Sequence, residues 1–346
     1  LFSGDIGPEV TSFHPTPDSP RNLDYLICEA TYGARERPAM TLASRRDLLA
    51  AEANEALKGK GVLIVPSFAV ERTQELLSDL LALAHERRIP QVPIFLDSPL
   101  AIRATEVFVD HARELEDGDA FRHAMRSPLL RTTESVQESM MIERIEGSHI
   151  IVAASGMCDA GRIRHHLKNH LWRNNATVLM VGYQAEGTLG RILQNGVRAV
   201  RIQGEEVKVN ASIRTLDIYS GHADGPGLAS WVEERGPVSR GIILVHGEKE
   251  GIAGLDERLA DRGLDGERIF APELDAVFDL LAESPATRER PAPRRLQPEF
   301  VGHQDWHNDL SRLWLDLEEE LDQAADDKAR RVILRRIRRA LENEHD

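Results

Sequence analysis

The sequence has few cysteines, no basic excess and no long apolar run, and each lack excludes a class of protein. Only Cys28 and Cys158 occur among 346 residues. Two thiols do not cross-link a chain of this length, so a disulfide-stabilised scaffold is excluded. We expect the protein to be located in the reducing cytoplasm. No apolar run approaches the roughly 20 residues that span a bilayer, so we expect no membrane partner. The net charge of −14 argues against a protein that coats nucleic acid, but it is compatible with a local basic groove.

Short apolar runs alternate with amphipathic segments from about residue 62 onward. The β-branched runs predict buried strands, and the amphipathic segments between them predict helices. This alternation indicates an α/β fold, a doubly wound parallel sheet with helices on both faces. The predicted strands are VLIVPSF, VPIFLD, SHIIVAA, ATVLMVGY and GIILVHG, and the predicted helices are ERTQELLSDLLALAHERR, LAIRATEVFVDHAREL, DAGRIRHHLKNHLW and a segment from about 251 to 262.

The C-terminal part of the chain has a different composition. Residues 284–302 are rich in Pro and Arg without apolar periodicity, which predicts a linker. Residues 303–346 are predicted to form a helical tail of two amphipathic segments, the second with six arginines around its apolar stripe. Each stripe is too small to fold alone, so we expect the helices to pair with each other and with a second surface, such as another copy in a homo-oligomer. We expect the arginines to be solvated or ion-paired.

Four polar residues stand where chemistry is often placed. Asp5 follows a glycine after an apolar segment, and His246 ends an apolar strand, so both are expected at a sheet edge where α/β sites gather. Glu29 follows another apolar run, and His222 lies in the loop sequence Ser-Gly-His-Ala-Asp. Each residue alone fits an ordinary role: Gly-Asp is common in turns, and a single histidine is more often structural.

The order and spacing of these residues give a stronger signal. The segments LFSGDIG, ICEATYG, YSGHAD and ILVHGE follow one another, with 24 positions from Asp5 to Glu29 and 24 from His222 to His246. Together they resemble the later motifs of the β-CASP branch of the metallo-β-lactamase superfamily, which contains zinc-dependent nucleases of RNA processing such as ribonuclease J. The segments PSFAVERTQE, DSPLA, ASGMCDAGR and GYQAEGTLGR resemble the strand-turn-helix junctions of the β-CASP domain.

The resemblance implies a role for each of the four residues. Asp5 would bridge two zinc ions, which a carboxylate with two oxygens suits, and His246 would be a zinc ligand. His222 would be the general acid for the leaving oxygen, because imidazole is the side chain that ordinarily titrates nearest neutral pH. Glu29 would orient the ring of His222 and hold its tautomer.

The resemblance also indicates where RNA phosphates would bind. Ser155, Gly156 and Met157 are predicted to form a turn whose backbone N–H groups lie at a helix N-terminus, a phosphate site, and Arg72 could add positive charge. A tight turn made by Gly156 for packing alone is an equal alternative. One departure is Glu71, where the family more usually has glycine, which places a negative charge near the expected RNA path.

Three histidines on one predicted helix have spacing that could be taken for a metal site. They lie within a polar helix, and we interpret them as solvated or packing residues. They are His165, His166 and His170.

The resemblance implies two domains with RNA in the cleft between them. Residues 1–35 and 216–283 would be the C-terminal part of a metallo-β-lactamase αββα domain, and residues 36–215 would be the inserted β-CASP domain. The family's main zinc motif, HxHxDH, does not occur in the chain. The absence of this motif, together with a first residue that is not Met, implies that an N-terminal part is missing. The ligand set for two Zn²⁺ would then be incomplete in this chain.

The function implied for the intact protein is zinc-dependent hydrolysis of RNA phosphodiester bonds, with this chain alone inactive. Two alternatives stay open from the residues. One is a non-catalytic scaffold that binds RNA or a partner, and the other is a two-zinc hydrolase of a different ester. The sequence does not distinguish endonuclease from exonuclease action.

Overall fold

A computed structural model describes residues 1–8, 13, 18–38, 40–273, 276–287, 321 and 327–342. Most of the predicted linker, and the first predicted tail helix apart from Leu321, lie outside the described residues. The second predicted tail helix is present at Asp327–Glu342. None of the helices in the described part of the chain combines the length and apolarity that crossing a bilayer requires.

The described elements alternate between strands and helices, as the apolar pattern predicts. In chain order the strands are β1 (Leu23–Glu29), β2 (Val62–Pro66), β3 (Ile94–Leu96), β4 (Leu130–Thr132), β5 (His149–Ala153), β6 (Ala176–Met180), β7 (Ala199–Ile202), β8 (Glu205–Lys208), β9 (Ser212–Thr215), β10 (Val238–Val245), β11 (Ile269–Phe270), β12 (Phe278–Asp279) and β13 (Ala286–Thr287). The helices are α1 (Leu42–Ala56), α2 (Arg72–His85), α3 (Pro99–Asp110), α4 (Gly118–Ala124), α5 (Val136–Ile142), α6 (Ile163–His170), α7 (Leu189–Gln194), α8 (Gly225–Glu234), α9 (Lys249–Asp261) and α10 (Asp327–Glu342).

The larger sheet has six parallel strands in the order β4-β3-β5-β2-β6-β9. Its central strands β2, β3, β5 and β6 are buried along their whole length. Alternate residues point to opposite sides of a strand, so both faces of these strands are covered. Leu63 and Val65 of β2 pack with α1, α2 and α3. Val62 and Ile64 pack on the other face with α5, α6 and α7. The predicted α/β fold, with a parallel sheet covered on both faces, is confirmed.

The smaller sheet has three parallel strands in the order β1-β10-β11. Residues 1–3 run beside β1 through a parallel bridge between Phe2 and Ile27, and the N–H of Ser3 donates to the carbonyl of Ile27 at 2.9 Å. Helices α8 and α9 cover one face of this sheet. The buried residues of that core include Leu26, Cys28, Leu228, Val232, Leu244, Leu255 and Leu259.

One predicted junction differs from the structure. Helix α6 begins at Ile163, so the segment Ser155–Met157 does not lie at its first turn. The chain instead closes a loop, in which the N–H of Ser155 donates to the carbonyl of Ala160 at 3.0 Å. Gly161, with a φ of 75°, then turns the chain into the helix. The physical reason is that this left-handed position ends the loop before helical geometry begins.

Candidate metal centre and cleft

The site lies where three parallel segments end at one edge of the smaller sheet. Glu29 is paired with Val245 in the register of β1 and β10, so the residues that follow both strands emerge side by side. The parallel bridge of Phe2 with Ile27 brings Asp5 to the same edge. Carboxyl ends of parallel strands are where α/β proteins gather functional side chains.

The loop that contains His222 is held against this edge by neighbouring backbone. The N–H of Ala223 donates to the carbonyl of Ile6 at 2.5 Å. The guanidinium of Arg37 donates to the carbonyl of His222 at 2.9 Å. Asp224 caps α8 by accepting from Gly227 at 3.0 Å, and its other oxygen accepts from the N–H of Arg37 at 2.8 Å. His222 is therefore fixed by contacts on both sides.

Asp5, His222 and His246 converge on one point. One donor atom of each lies within 4.8 Å of those of the other two, and this is the one such cluster of metal-binding side chains in the described part of the chain. Asp5 and His246 are exposed, and His222 is partly buried. Two imidazoles and a carboxylate fit zinc chemically, although zinc prefers four ligands and this cluster offers three.

Glu29 is buried beneath His222 and contacts its ring. The carboxylate is 1% exposed, and Oε2 lies 2.8 Å from Nδ1 of His222. The other oxygen, Oε1, accepts from the N–H of Ile6 at 2.5 Å. Because a carboxylate accepts hydrogen bonds, it favours a proton on Nδ1 of His222 and leaves Nε2 as the second ring nitrogen.

Thr31 is a site residue that the sequence analysis missed. Its Oγ1 lies 3.0 Å from Nδ1 of His246, 2.9 Å from the carbonyl of His246, and 3.4 Å from Nδ1 of His222. A signal was present, because Thr31 comes two residues after Glu29 in ICEATYG and so lies at the same sheet edge.

A cleft of about 930 Å³ extends from these residues to the start of α2. Arg72 and Met157 line it, whereas Ser155 and Gly156 are not among its lining residues. A Cβ at Gly156 would lie 2.4 Å from the ring of Phe68, so a close packing contact requires glycine there. Of the four residues predicted to contact phosphate, the structure places two at the cleft wall.

The N–H groups at the start of α7 are already used within the protein. Leu189 donates its N–H to the carboxylate of Asp159 at 2.9 Å, and Gly190 donates to the carbonyl of Met157 at 3.0 Å. Arg191 donates its N–H to the hydroxyl of Thr188 at 3.2 Å. The first N–H donors of this helix are therefore satisfied by side chain and backbone within the protein.

Arg72 links the start of α2 to the loop before His222. Its Nε donates to the carbonyl of Tyr219 at 2.5 Å, and its guanidinium carbon lies 4.7 Å from the centre of the Phe68 ring. Burial lowers the pKa of Arg72 from its ordinary value. Glu71, whose charge the sequence places near the RNA path, also lines the cleft and has a φ of 63°, a conformation in which glycine is favoured.

Tyr183 and Glu248 also line the cleft. The Tyr183 hydroxyl donates to the Glu248 carboxylate, and burial followed by this hydrogen bond raises the pKa of Tyr183. The Tyr183 ring lies edge-on to Tyr32, with 5.6 Å between ring centres. These contacts join the residues after β6 to those after β1 and β10.

The three histidines of α6 do not meet as metal ligands. His166 is fully buried and its Nε2 contacts the buried carboxylate of Asp97 at 2.6 Å. Nδ1 of His170 contacts the carbonyl of His166 at 2.9 Å. His165 is half-buried and contacts Glu143 at 2.5 Å. Their contacts agree with packing roles.

Two family models match the chain. Residues 73–193 match the Beta-Casp domain. Residues 206–272 match the Zn-dependent metallo-hydrolase RNA specificity domain. The second match includes His222 and His246, and the first includes four of the six strands of the larger sheet, β3 to β6. These matches support metal dependence for the region that carries the cluster.

Several characterised proteins are similar in sequence. The chain is 36% identical over 268 residues to "Ribonuclease TTHA0252" of Thermus thermophilus, covering 76% of this chain and 60% of that protein. It is 27% identical over 267 residues to "Transcription termination factor FttA" of Methanosarcina mazei, covering 74% and 42%. It is 29% identical over 252 residues to "RNase J-like protein" of Methanocaldococcus jannaschii, covering 72% and 58%. The chain thus spans between about two fifths and three fifths of these relatives.

Proposed function

The chain belongs to the β-CASP family of metallo-β-lactamase-fold proteins, and from this premise we propose that the protein hydrolyses RNA phosphodiester bonds with zinc as its cofactor. The observation that carries the proposal is the cluster of Asp5, His222 and His246 within 4.8 Å, with the Glu29–His222 contact beside it. The cluster opens into a cleft large enough for several nucleotide groups. The printed name of the Thermus relative, a ribonuclease, supports RNA as substrate.

The proposed metal ligands in this chain are Asp5 and His246. Asp5 would bridge two zinc ions through its two oxygens, and His246 would bind one. When bound, zinc supplies polarisation of the scissile phosphate and activation of the attacking water. Two ligands are too few for two four-coordinate ions, so we propose that the other ligands come from a part of the protein outside these 346 residues. The greater length of the relatives supports this.

The proposed acid is His222, with Glu29 as its partner. Glu29 accepts a hydrogen bond from the Nδ1–H of His222 at 2.8 Å, which holds the ring in place. A proton on Nε2 can then be given to the leaving oxygen as the phosphorus–oxygen bond breaks. Glu29 is buried and held by the N–H of Ile6, so the carboxylate needs no rearrangement to do this.

The proposed RNA path follows the cleft from the cluster toward α2. Arg72 and Met157 line it, and the charge of Arg72 would attract phosphate. We propose that Ser155 and Gly156 contribute to RNA binding indirectly, by positioning Met157 and Phe68, which line the cleft. The two cysteines are free and buried, which supports the proposal of a reducing, cytoplasmic location.

The proposal is tested by RNA cleavage with controlled metal content. Purified intact protein would be incubated with end-labelled RNA and with the matching DNA, with zinc and after removal of zinc by a chelator. Asp5→Ala should abolish zinc-dependent cleavage, whereas Asp119→Ala, which removes a carboxylate that is 98% exposed on another surface, should not. RNA binding without cleavage would favour the non-catalytic scaffold. Cleavage of small phosphate esters but not RNA would favour the other hydrolase.

A further inference from the structure

The hydroxyl of Thr31 stands between the two histidines of the cluster. Its oxygen has three neighbours at contact distance: the carbonyl oxygen and Nδ1 of His246, at 2.9 Å and 3.0 Å, and Nδ1 of His222 at 3.4 Å. A hydroxyl offers one proton and two lone pairs, so three neighbours are the most that it can satisfy. Their chemistry decides which of them receives the proton.

The carbonyl of His246 can only accept, so the hydroxyl proton goes there. With its proton committed, the Thr31 oxygen can only accept from Nδ1 of His246. That contact is a hydrogen bond only if Nδ1 carries the proton of the neutral imidazole. His222 also carries its proton on Nδ1 by the same argument, because that nitrogen lies 2.8 Å from the carboxylate of Glu29, which can only accept.

We propose that Thr31 is a positioning residue that fixes His246 in the Nδ1–H tautomer and thereby leaves the lone pair of Nε2 for a metal ion. This inference rests on the proposed role of His246 as a zinc ligand. It agrees with a general pattern, in which a metal-binding histidine donates its other ring N–H to an oxygen that sets its tautomer and orientation.

The same hydroxyl also holds the backbone of His246. This residue has a φ of 51°, a left-handed conformation that is strained for residues other than glycine. One hydroxyl that binds both the carbonyl and the ring fixes the backbone and the side chain relative to each other. Threonine suits this task because its β-branch restricts the rotation that would swing the hydroxyl away.

The direct test is the tautomer of His246 in solution. Protein labelled with ¹⁵N in its histidines, freed of metal and kept at alkaline pH, would be examined by NMR correlation of the ring nitrogens with the ring protons. The His246 signals are identified by their loss in His246→Gln. The wild type and Thr31→Ser should show the Nδ1–H form. Thr31→Val, which has the same shape without the hydroxyl, should lose this form because Nδ1–H has no acceptor.

A second measurement follows the consequence for metal binding. Zinc affinity, measured by competition with a chromogenic chelator, should fall about 10- to 100-fold in Thr31→Val and stay near the wild-type value in Thr31→Ser. Thermal unfolding of each variant provides the folding control. Thr31→Ala removes the hydroxyl without adding a methyl group, and it gives the same readout if Thr31→Val does not fold.

The outcomes separate this inference from the proposed function. A wild type with His246 in the Nε2–H form, or a Thr31→Val variant with unchanged tautomer and zinc affinity, would overturn the role of Thr31 even if the protein cleaves RNA. A protein that cleaves no RNA, but whose Nδ1–H form and zinc affinity depend on the hydroxyl, would support Thr31 and refute the nuclease proposal.

Discussion

Replacing Glu29 with glutamine isolates the contribution of the buried carboxylate to proton transfer. Glu29→Gln keeps the shape of the side chain but replaces one acceptor oxygen with an amide donor. The N–H of Ile6 requires an acceptor at 2.5 Å, so the amide oxygen takes that position. The amide NH₂ then faces Nδ1 of His222, and two donors meet where a donor and an acceptor met before. His222 must give up its Nδ1 proton or lose the contact.

The size of the effect follows from the strength of the lost hydrogen bond. A hydrogen bond to a charged group is worth about 1.5 to 3 kcal/mol, and about 1.4 kcal/mol corresponds to a tenfold change in rate. Glu29→Gln should therefore lower kcat/KM for RNA by about 10- to 150-fold. Zinc content should change little, because Asp5 and His246 do not contact Glu29 through this bond.

The assay is single-turnover cleavage of end-labelled RNA, with zinc measured in the same samples. Glu233→Gln is the matched control, since Glu233 is an exposed carboxylate paired with Arg262 at 3.0 Å away from the cluster. An unchanged cleavage rate in Glu29→Gln would refute the assignment of the His222–Glu29 pair to the chemical step. A parallel loss of zinc would show that the pair holds metal instead.

Three further predictions concern metal, RNA and pH. Asp5→Ala should lose bound zinc by elemental analysis, whereas Asp119→Ala should keep it; full zinc in Asp5→Ala would remove Asp5 from the centre. Glu71→Gln should tighten RNA binding about fivefold in a filter-binding titration, because removing one unit charge in water is worth about 1 kcal/mol. Glu71→Gly should have the same effect if charge is the cause. Unchanged RNA binding in both variants would contradict the proposed path. Burial holds the pKa of His170 down to about 3 from 6.5. Between these two pH values the unfolded chain binds more protons than the folded chain. The free energy of unfolding should therefore fall as pH drops below 6.5, by at most about 1.4 kcal/mol per pH unit. Urea unfolding of His170→Gln should show a flatter pH dependence, and an equal slope would count against this.

The central strands of the larger sheet were predictable from the sequence because they are buried on both faces. Runs such as VLIVP are too short and too β-branched for helices, and helices with one apolar stripe separate them. This pattern predicts β2, β5 and β6 and their parallel pairing. It says little about the sheet order, because pairing of β3 between β4 and β5 depends on contacts between distant segments.

The site was predictable where a strand end positions the side chain. Glu29 is the last residue of β1 and His246 directly follows β10, and parallel pairing of β1 with β10 brings those ends together. Thr31 was not predicted, because a threonine carries no metal or acid chemistry of its own. Its role depends on the conformation of His246, which lies 215 positions away in the chain.

Burial of polar side chains could not be predicted from local sequence. The segment RIRHHLKNH looks like a solvated helix, yet His166 and His170 are fully buried. The reason is Asp97, which lies 69 positions before His166. Although burial alone would raise its pKa, hydrogen bonds from His166, Ser139 and Thr133 hold the pKa of Asp97 well below its usual range. The charge of Asp97 can be buried because these partners replace the water that it loses on folding, and such partners come together only through the fold.

The most direct test of the central claim is the position of zinc in crystals of the intact protein. Anomalous diffraction on either side of the zinc absorption edge locates the metal without relying on activity. We predict zinc at about 2.0 to 2.2 Å from the carboxylate of Asp5 and from a ring nitrogen of His246. Zinc bound elsewhere, with Asp5 and His246 outside its ligand shell, would contradict the proposed metal centre and the mechanism built on it.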